Sequence, residues 1–192
     1  MKNIIKNNLN ESVEINRKML DDNTLIESVQ LATQTIISRF ENGYKLLLCG
    51  NGGSAADAQH IASEFTGKYY TDREPLNAEA LHTDTSYLTA VSNDYGYQDI
   101  FSRMIKAKAT KGDILIALST SGNSKNVVAA LHKAKEMGVF TIGMTGQKKG
   151  DMIPYCDLHI AVPSDNTARI QEMHLLIGHS ICEAVEAHFF II

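Results

Sequence analysis

Cysteine and clustered positive charge are both scarce in this chain. Its 192 residues include three cysteines, Cys49, Cys156 and Cys182. The number is odd and no pair has CxxC spacing, which argues against a disulfide framework or a thiolate zinc site. The three read as small hydrophobic residues in a reducing compartment. No basic stripe interrupts the formal charge of −4, and Lys106, Lys108, Lys111, Lys148 and Lys149 are scattered as on a solvated face. A nucleic acid held through its phosphates is therefore not an expected partner. No apolar run approaches the ~20 residues that span a membrane. The apolar tail HFFII is far too short and is expected to pack against a neighbour or fray. The start, MKNIIKNNLN, has lysines but lacks the apolar segment of a secretory signal. Together these absences make a cytoplasmic protein the expectation. Internal repeats and low-complexity segments are missing too.

What is present is ordinary for a globular protein: 44% apolar and 21% charged residues, in a length that suits one domain. Residues 1–40 contain no Pro and no Gly. Leu9 and Val13, then Leu25, Val29, Ala32, Ile36 and Phe40, recur at helical spacing. The stretch DDNT at 21–24 breaks the run and caps a second helix. Two amphipathic helices are too little for a separate domain. Residues 1–192 are thus read as one domain, with 1–40 an extension packing on the core or on a neighbouring subunit.

From residue 44 the pattern becomes strand, turn, helix. Strands are expected at 44–49, 78–82, 113–118, 139–144 and 158–162. Helices are expected at 54–66, 86–92 and 98–108, in the segment NVVAALHKAKEMG, and from about 168 to 189. Such alternation predicts a parallel sheet covered on both faces, and the short, unbroken apolar strands suit double burial. Ligands bind such sheets beyond the carboxyl ends of the strands, which singles out the loops GNGGS, TDTS, STSGNS and TGQ.

STSGNS, at 119–124, follows the strongest strand and opens a helix. Four hydroxyls, from Ser119, Thr120, Ser121 and Ser124, meet a helix N-terminus that favours an anion. No Lys follows as in a P-loop, so a small phosphate monoester suits it better than a nucleotide triphosphate. An ordinary serine-rich turn has the same composition. GNGGS, at 50–54, lacks the third glycine of a dinucleotide fingerprint. Asn51, Gly52, Gly53 and Ser54 are better read as letting a polar ligand lie close to backbone. The next helix carries His60 and Glu64, four apart on one face. They are a surface pair, two ligands of one metal, or a base beside its partner. The last helix carries Gln171, Glu172, His174 and His179 among apolar residues. Gln171 and His179 are eight apart, a rise of ~12 Å, so one helix struggles to aim both at one atom. If both serve one centre, it lies where helices of different subunits meet, and the protein is an oligomer.

GNGGSAADAQHIASEF, SNDYGYQDIFSR, STSGNSKN and ARIQEMHLLIGH occur in that order. Together they resemble the phosphoheptose isomerases, the sedoheptulose 7-phosphate isomerases of the sugar-isomerase (SIS) superfamily, over nearly the whole chain. The glycine and serine loops mark the superfamily. His60 with Glu64, and Gln171 with His179, mark the isomerases. The resemblance implies an α/β three-layer sandwich on a five-stranded parallel sheet of flavodoxin-like topology, with N-terminal helices, assembled as a homotetramer with active sites near subunit interfaces. It implies interconversion of D-sedoheptulose 7-phosphate and D-glycero-D-manno-heptose 7-phosphate, the first committed step toward the ADP-heptose of lipopolysaccharide or capsule.

Carried over by position, Ser119, Thr120, Ser121 and Ser124 form the phosphate cup. Asn51, Gly52, Gly53, Ser54, Asn93 and Asp94 are sugar-contacting positions, with Glu64 and Gln171 also at the substrate. His60, Glu64, Gln171 and His179 are ligands of one zinc ion per subunit. Glu64 is the expected base and His179 the group that moves protons between oxygens. Lys68 stands where family members often carry Arg, and Ala168 occupies a variable position; neither removes a chemical group named above. A replication-initiator-associating relative resembles a paralogue lacking the acidic residue at position 64 and the histidine at position 179. This chain has both, which sets it apart from that binding protein and from regulatory sugar-phosphate-binding domains of the superfamily.

Overall fold

The computed structural model of the protein describes residues 1–190, so Ile191 and Ile192 of the HFFII tail lie outside the described residues. Two helices come first, α1 (Lys2–Leu20) and α2 (Asn23–Glu41). Asp22 separates them, and its carboxylate accepts the Leu25 N–H at 3.1 Å, capping α2. Then follow β1 (Leu46–Cys49), α3 (Gly53–Thr66), β2 (Ala78–Ala80), α4 (Thr85–Asp94), α5 (Ile100–Lys108), β3 (Ile114–Leu118), α6 (Lys125–Glu136), β4 (Phe140–Thr145), β5 (Leu158–Ala161) and α7 (Thr167–Phe189). The sheet has five strands in the order β2-β1-β3-β4-β5, and each pairing is parallel.

Every residue of β1 and β3 is buried, as their unbroken apolar runs require. The two-residue period of a strand then divides the core. Leu46 and Leu48 of β1, with Ile114 and Ile116 of β3, face Ile36, Ile61, Phe65, Met173, Ile177 and Val185 of α2, α3 and α7. Leu47, Cys49, Leu115 and Ala117 face Phe101, Ile105, Val127 and Leu131 of α5 and α6. The result is three layers, helix–sheet–helix. The sheet order reverses at β1, so the loops after β1 and β3 leave the sheet side by side at its carboxyl end. That is the switch point where such folds bind ligands.

The N-terminal helices belong to the α2–α3–α7 layer. Ile15 and Met19 of α1 and Leu25, Ala32 and Ile36 of α2 join its core, while residues 1–10 are exposed throughout. Strand β1 starts two residues later than its apolar run suggests, because Tyr44 and Lys45 serve the preceding turn. The Tyr44 ring lies over Gly112, where a Cβ would come within 2.3 Å of it. Lys45 donates its backbone N–H to buried Asp113 at 3.1 Å and its ammonium at 2.7 Å. Among the described residues, no helix is long and apolar enough to cross a membrane.

Candidate active site

The serine loop leaves β3 at Leu118 and enters α6 at Lys125. Gly122 turns it with φ +71°, and a Cβ there would fall 2.0 Å from the Lys149 carbonyl oxygen. Glycine is therefore required both for the conformation and for the close approach of the loop after β4. That loop is tied on by Met152 N–H to Gly122 O at 3.0 Å and Asp151 N–H to Asn123 Oδ1 at 2.8 Å. Ser119 and Ser124 join their hydroxyls at 3.0 Å, and Ser121 Oγ accepts the Asn123 N–H at 3.1 Å. Ser124 is the N-cap residue of α6 but makes no side-chain cap bond. Hydroxyls and the N-terminus of a 12-residue helix thus share one end of the crevice, an arrangement suited to an anion.

GNGGS leaves β1 beside it. Gly52 has φ +56° and caps α3. Gly53 has no Cβ for a different reason: one would sit 2.6 Å from both polar atoms of the Gln171 amide. Gln171 of α7 is thus laid against the first residue of α3. The Asn51 amide is held by Asn126 and Tyr97. Asn93 and Asp94 bond to each other at 2.9 Å at the exposed end of α4.

Farther along α3, His60 Nε2 lies 3.2 Å from Glu64 Oε1 and 2.9 Å from His179 Nε2. One ligand atom from each of the three residues falls within a 4.8 Å spread. Between two bare imidazoles this distance requires one N–H and one lone pair. Two imidazole nitrogens and a carboxylate oxygen also form a donor set suited to zinc, so the residues present fit such an ion. Helix packing brings them together. A Cβ on Gly178 would meet Ile61 Cδ1 at 2.4 Å, so a glycine on α7 is what lets α3 approach. Gln171 is the fourth expected ligand. It lies at Gly53, seven residues or ~10 Å of helix rise before His60.

Several participants went unnoticed in the sequence. Glu186, fully buried, accepts the N–H groups of Tyr69, Tyr70 and Thr71 at 3.1, 2.7 and 3.0 Å and the Arg73 Nε–H at 2.6 Å. Burial alone would raise its pKa, but Arg73 and these N–H groups outweigh that and hold the carboxyl down at about 2. Arg73 in turn donates to the carbonyls of Glu64 and Phe65 at 2.8 and 2.9 Å. The end of α3 that carries Glu64 is thereby fastened to α7 seven residues beyond His179. Asp57, one turn before His60, has a buried carboxylate oxygen with no partner. Burial raises its pKa, and His60 works against that rise. For Glu186 the available signal was its position four residues after Cys182 and directly after Val185, on the apolar side of α7. His174, by contrast, is a core histidine. It is fully buried, 3.2 Å from the Thr145 carbonyl, and kept neutral by burial with its pKa down at about 4.

Similarity to known proteins follows the same lines. The SIS domain family model matches residues 10–146. The phosphoheptose isomerase of Clostridium acetobutylicum is 48% identical over 190 residues, covering 99% of this chain and 97% of the relative. That of Campylobacter concisus is 50% identical, covering 98% of both chains. The solved structure of phosphoheptose isomerase GmhA from Neisseria gonorrhoeae superposes with a TM-score of 0.91 at 39% identity, covering 97% of this chain and 98% of that one. The chain belongs to the SIS domain family and, within it, to the phosphoheptose isomerases, enzymes that isomerise sugar phosphates.

Proposed function

We propose that the protein interconverts D-sedoheptulose 7-phosphate and D-glycero-D-manno-heptose 7-phosphate in the cytoplasm, as the first committed step toward ADP-heptose. The observation that carries this reading is the meeting of His60, Glu64 and His179 at one point, with His60 and Glu64 on the helix that follows the β1 loop at the switch in strand order. Ser119, Thr120, Ser121 and Ser124 hold the phosphate. The backbone of Asn51 to Ser54, with Asn93, Asp94 and Gln171, receives the sugar hydroxyls. Moving the carbonyl from C2 to C1 breaks a C1–H bond and makes a C2–H bond. Glu64 takes the C1 proton, leaving an enediol, and returns a proton to C2. His179 carries the remaining proton from the C1 oxygen to the C2 oxygen, a role its imidazole suits by having one nitrogen to donate and one to accept.

The same side chains are the proposed ligands of one zinc ion per subunit: His60, Glu64 and His179, with Gln171 as a fourth. When bound, the ion supplies a positive charge that polarises the carbonyl and stabilises negative charge on the oxygens. Gln171, eight residues before His179 on the same helix and laid against Gly53, serves the centre across a subunit boundary, which favours the homotetramer. Exposed Ile4, Ile5, Leu9 and Val13 on α1 support that assembly, as does an apolar groove of about 520 Å³ lined by Met19, Leu25, Ile26 and Leu176.

A coupled assay with sedoheptulose 7-phosphate, with and without a chelator, tests both parts. Turnover that falls with chelator and returns with zinc is expected. Turnover indifferent to chelator would remove the metal while keeping the isomerase. Absence of turnover with zinc present would remove the heptose substrate and favour a binding role.

A further inference from the structure

The geometry points to Asn126 as a positioning residue that sets the register of the sugar-binding loop against the phosphate cup. Asn126 is the second residue of α6, directly after the serine loop, and only 3% exposed. Its Oδ1 accepts the Val127 N–H at 3.0 Å, which fixes which end of the amide is oxygen. The same oxygen accepts Asn51 Nδ2 at 2.8 Å, and Asn126 Nδ2 donates back to Asn51 Oδ1 at 2.9 Å. Tyr97 OH donates to that Asn51 oxygen at 3.0 Å.

An amide oxygen accepts about two hydrogen bonds, so both oxygens of the pair are fully used. Asn51 has no acceptor left for a sugar hydroxyl and one N–H to give. Its side chain thus faces the neighbouring loop, and the backbone of residues 51–54 is left to face the ligand. Asn51 and Asn126 are 75 residues apart, and this reciprocal pair joins the loop after β1 to the first turn of α6, directly behind the serine loop. A sugar phosphate anchored at one end in the cup reaches the other loop only if the two are held at a fixed offset. Pre-organisation of this kind acts on binding of the whole ligand and leaves binding of the phosphate alone unchanged.

The inference rests on reading the serine loop as a phosphate cup. That reading fails separately, if Thr120→Ala combined with Ser121→Ala leaves inhibition by inorganic phosphate unchanged. The test of the pair itself compares Asn126→Ala, Asn51→Ala and the double variant with the unaltered enzyme. Three quantities are measured: KM for sedoheptulose 7-phosphate, kcat, and the inhibition constant of inorganic phosphate. Each single variant is expected to raise KM about tenfold, the effect of losing one to two net hydrogen bonds. The phosphate inhibition constant should stay within about twofold, because phosphate occupies only the cup. The double variant should be no worse than the poorer single by more than about threefold, since both singles break the same pair. A KM that does not move, a phosphate constant that rises in step with KM, or single effects that multiply in the double variant would each overturn the assignment. If Asn126→Ala fails to fold, Asn51→Ala leaves the Val127 N–H satisfied and carries the same comparison of KM against phosphate inhibition.

Discussion

Glu64 and Glu186 are two glutamates placed for opposite purposes. Glu64 is one-fifth exposed, and its one ion pair among the described residues is with His60, so a ligand can reach it. Replacing it with Gln keeps the shape and removes the base. Turnover should fall about 10²- to 10⁴-fold, the range for loss of general-base catalysis. Sedimentation should show the assembly unchanged, and a variant with near-normal kcat would remove Glu64 from the base role. Glu186 is sealed from solvent against Arg73, which is itself only 2% exposed. Glu186→Gln would leave Arg73 buried without its counter-charge and should cost about 3–5 kcal/mol in urea unfolding. Because the folded-state pKa of Glu186 lies below its ordinary 4.5, at about 2, its contribution is complete above the ordinary value. It is lost as the pH falls from about 4.5 toward 2. The unaltered protein should therefore lose urea stability steeply across that window, and Glu186→Gln should lose less across it. Equal slopes would rule out the clamp as a source of acid sensitivity.

Among elements, the seam between α3 and α7 decides the site. Two glycines let the helices come close, Gly53 against Gln171 and Gly178 against Ile61. Gly178→Ala adds one methyl at 2.4 Å from Ile61 Cδ1, the end of a flexible side chain in a filled core. Such overpacking should cost about 1–3 kcal/mol. It should also move His179 relative to His60, so that kcat falls further than the loss of folded protein explains. Thermal unfolding beside kcat of the purified variant measures both. A destabilised variant with full kcat would mean that the spacing of these helices is not what aligns the histidines.

For the whole molecule, the surface of the N-terminal helices is the outstanding feature. Leu9 is 63% exposed and Ile5 56%, on a helix whose first ten residues meet no core of their own chain. A single chain gains nothing from an apolar stripe in water, whereas an assembly buries it. Ile5→Glu combined with Leu9→Glu should therefore dissociate the protein into smaller species by analytical ultracentrifugation. Turnover and bound zinc should fall together with the assembly, because Gln171 is proposed to act across the boundary. Dissociation with turnover and zinc intact would show that each protomer holds a complete site.

The order of elements was legible in the chain because strands and helices announce themselves locally. Unbroken apolar runs such as DILIAL mark doubly buried strands, a period near 3.6 marks α2 and α7, and Asp22, Gly52 and Gly122 punctuate them. The loops at the carboxyl ends followed from that order, and with them the serine hydroxyls and the pairing of His60 with Glu64, which needs only one turn of helix. Whether His179 and Gln171 reach that pair was not legible, since residues over a hundred positions apart meet according to how helices pack. The folded chain brings His179 to His60 and leaves Gln171 at Gly53. The Asn51–Asn126 pair and the Arg73–Glu186 clamp were equally invisible, because amides and charges occur everywhere on surfaces and only burial makes their partners obligatory. Local periodicity thus determined the strands, the helices and the chemistry available at the ends of the sheet. Three-dimensional packing alone decided which of those side chains share a space, because desolvation and close approach are properties of the folded interior.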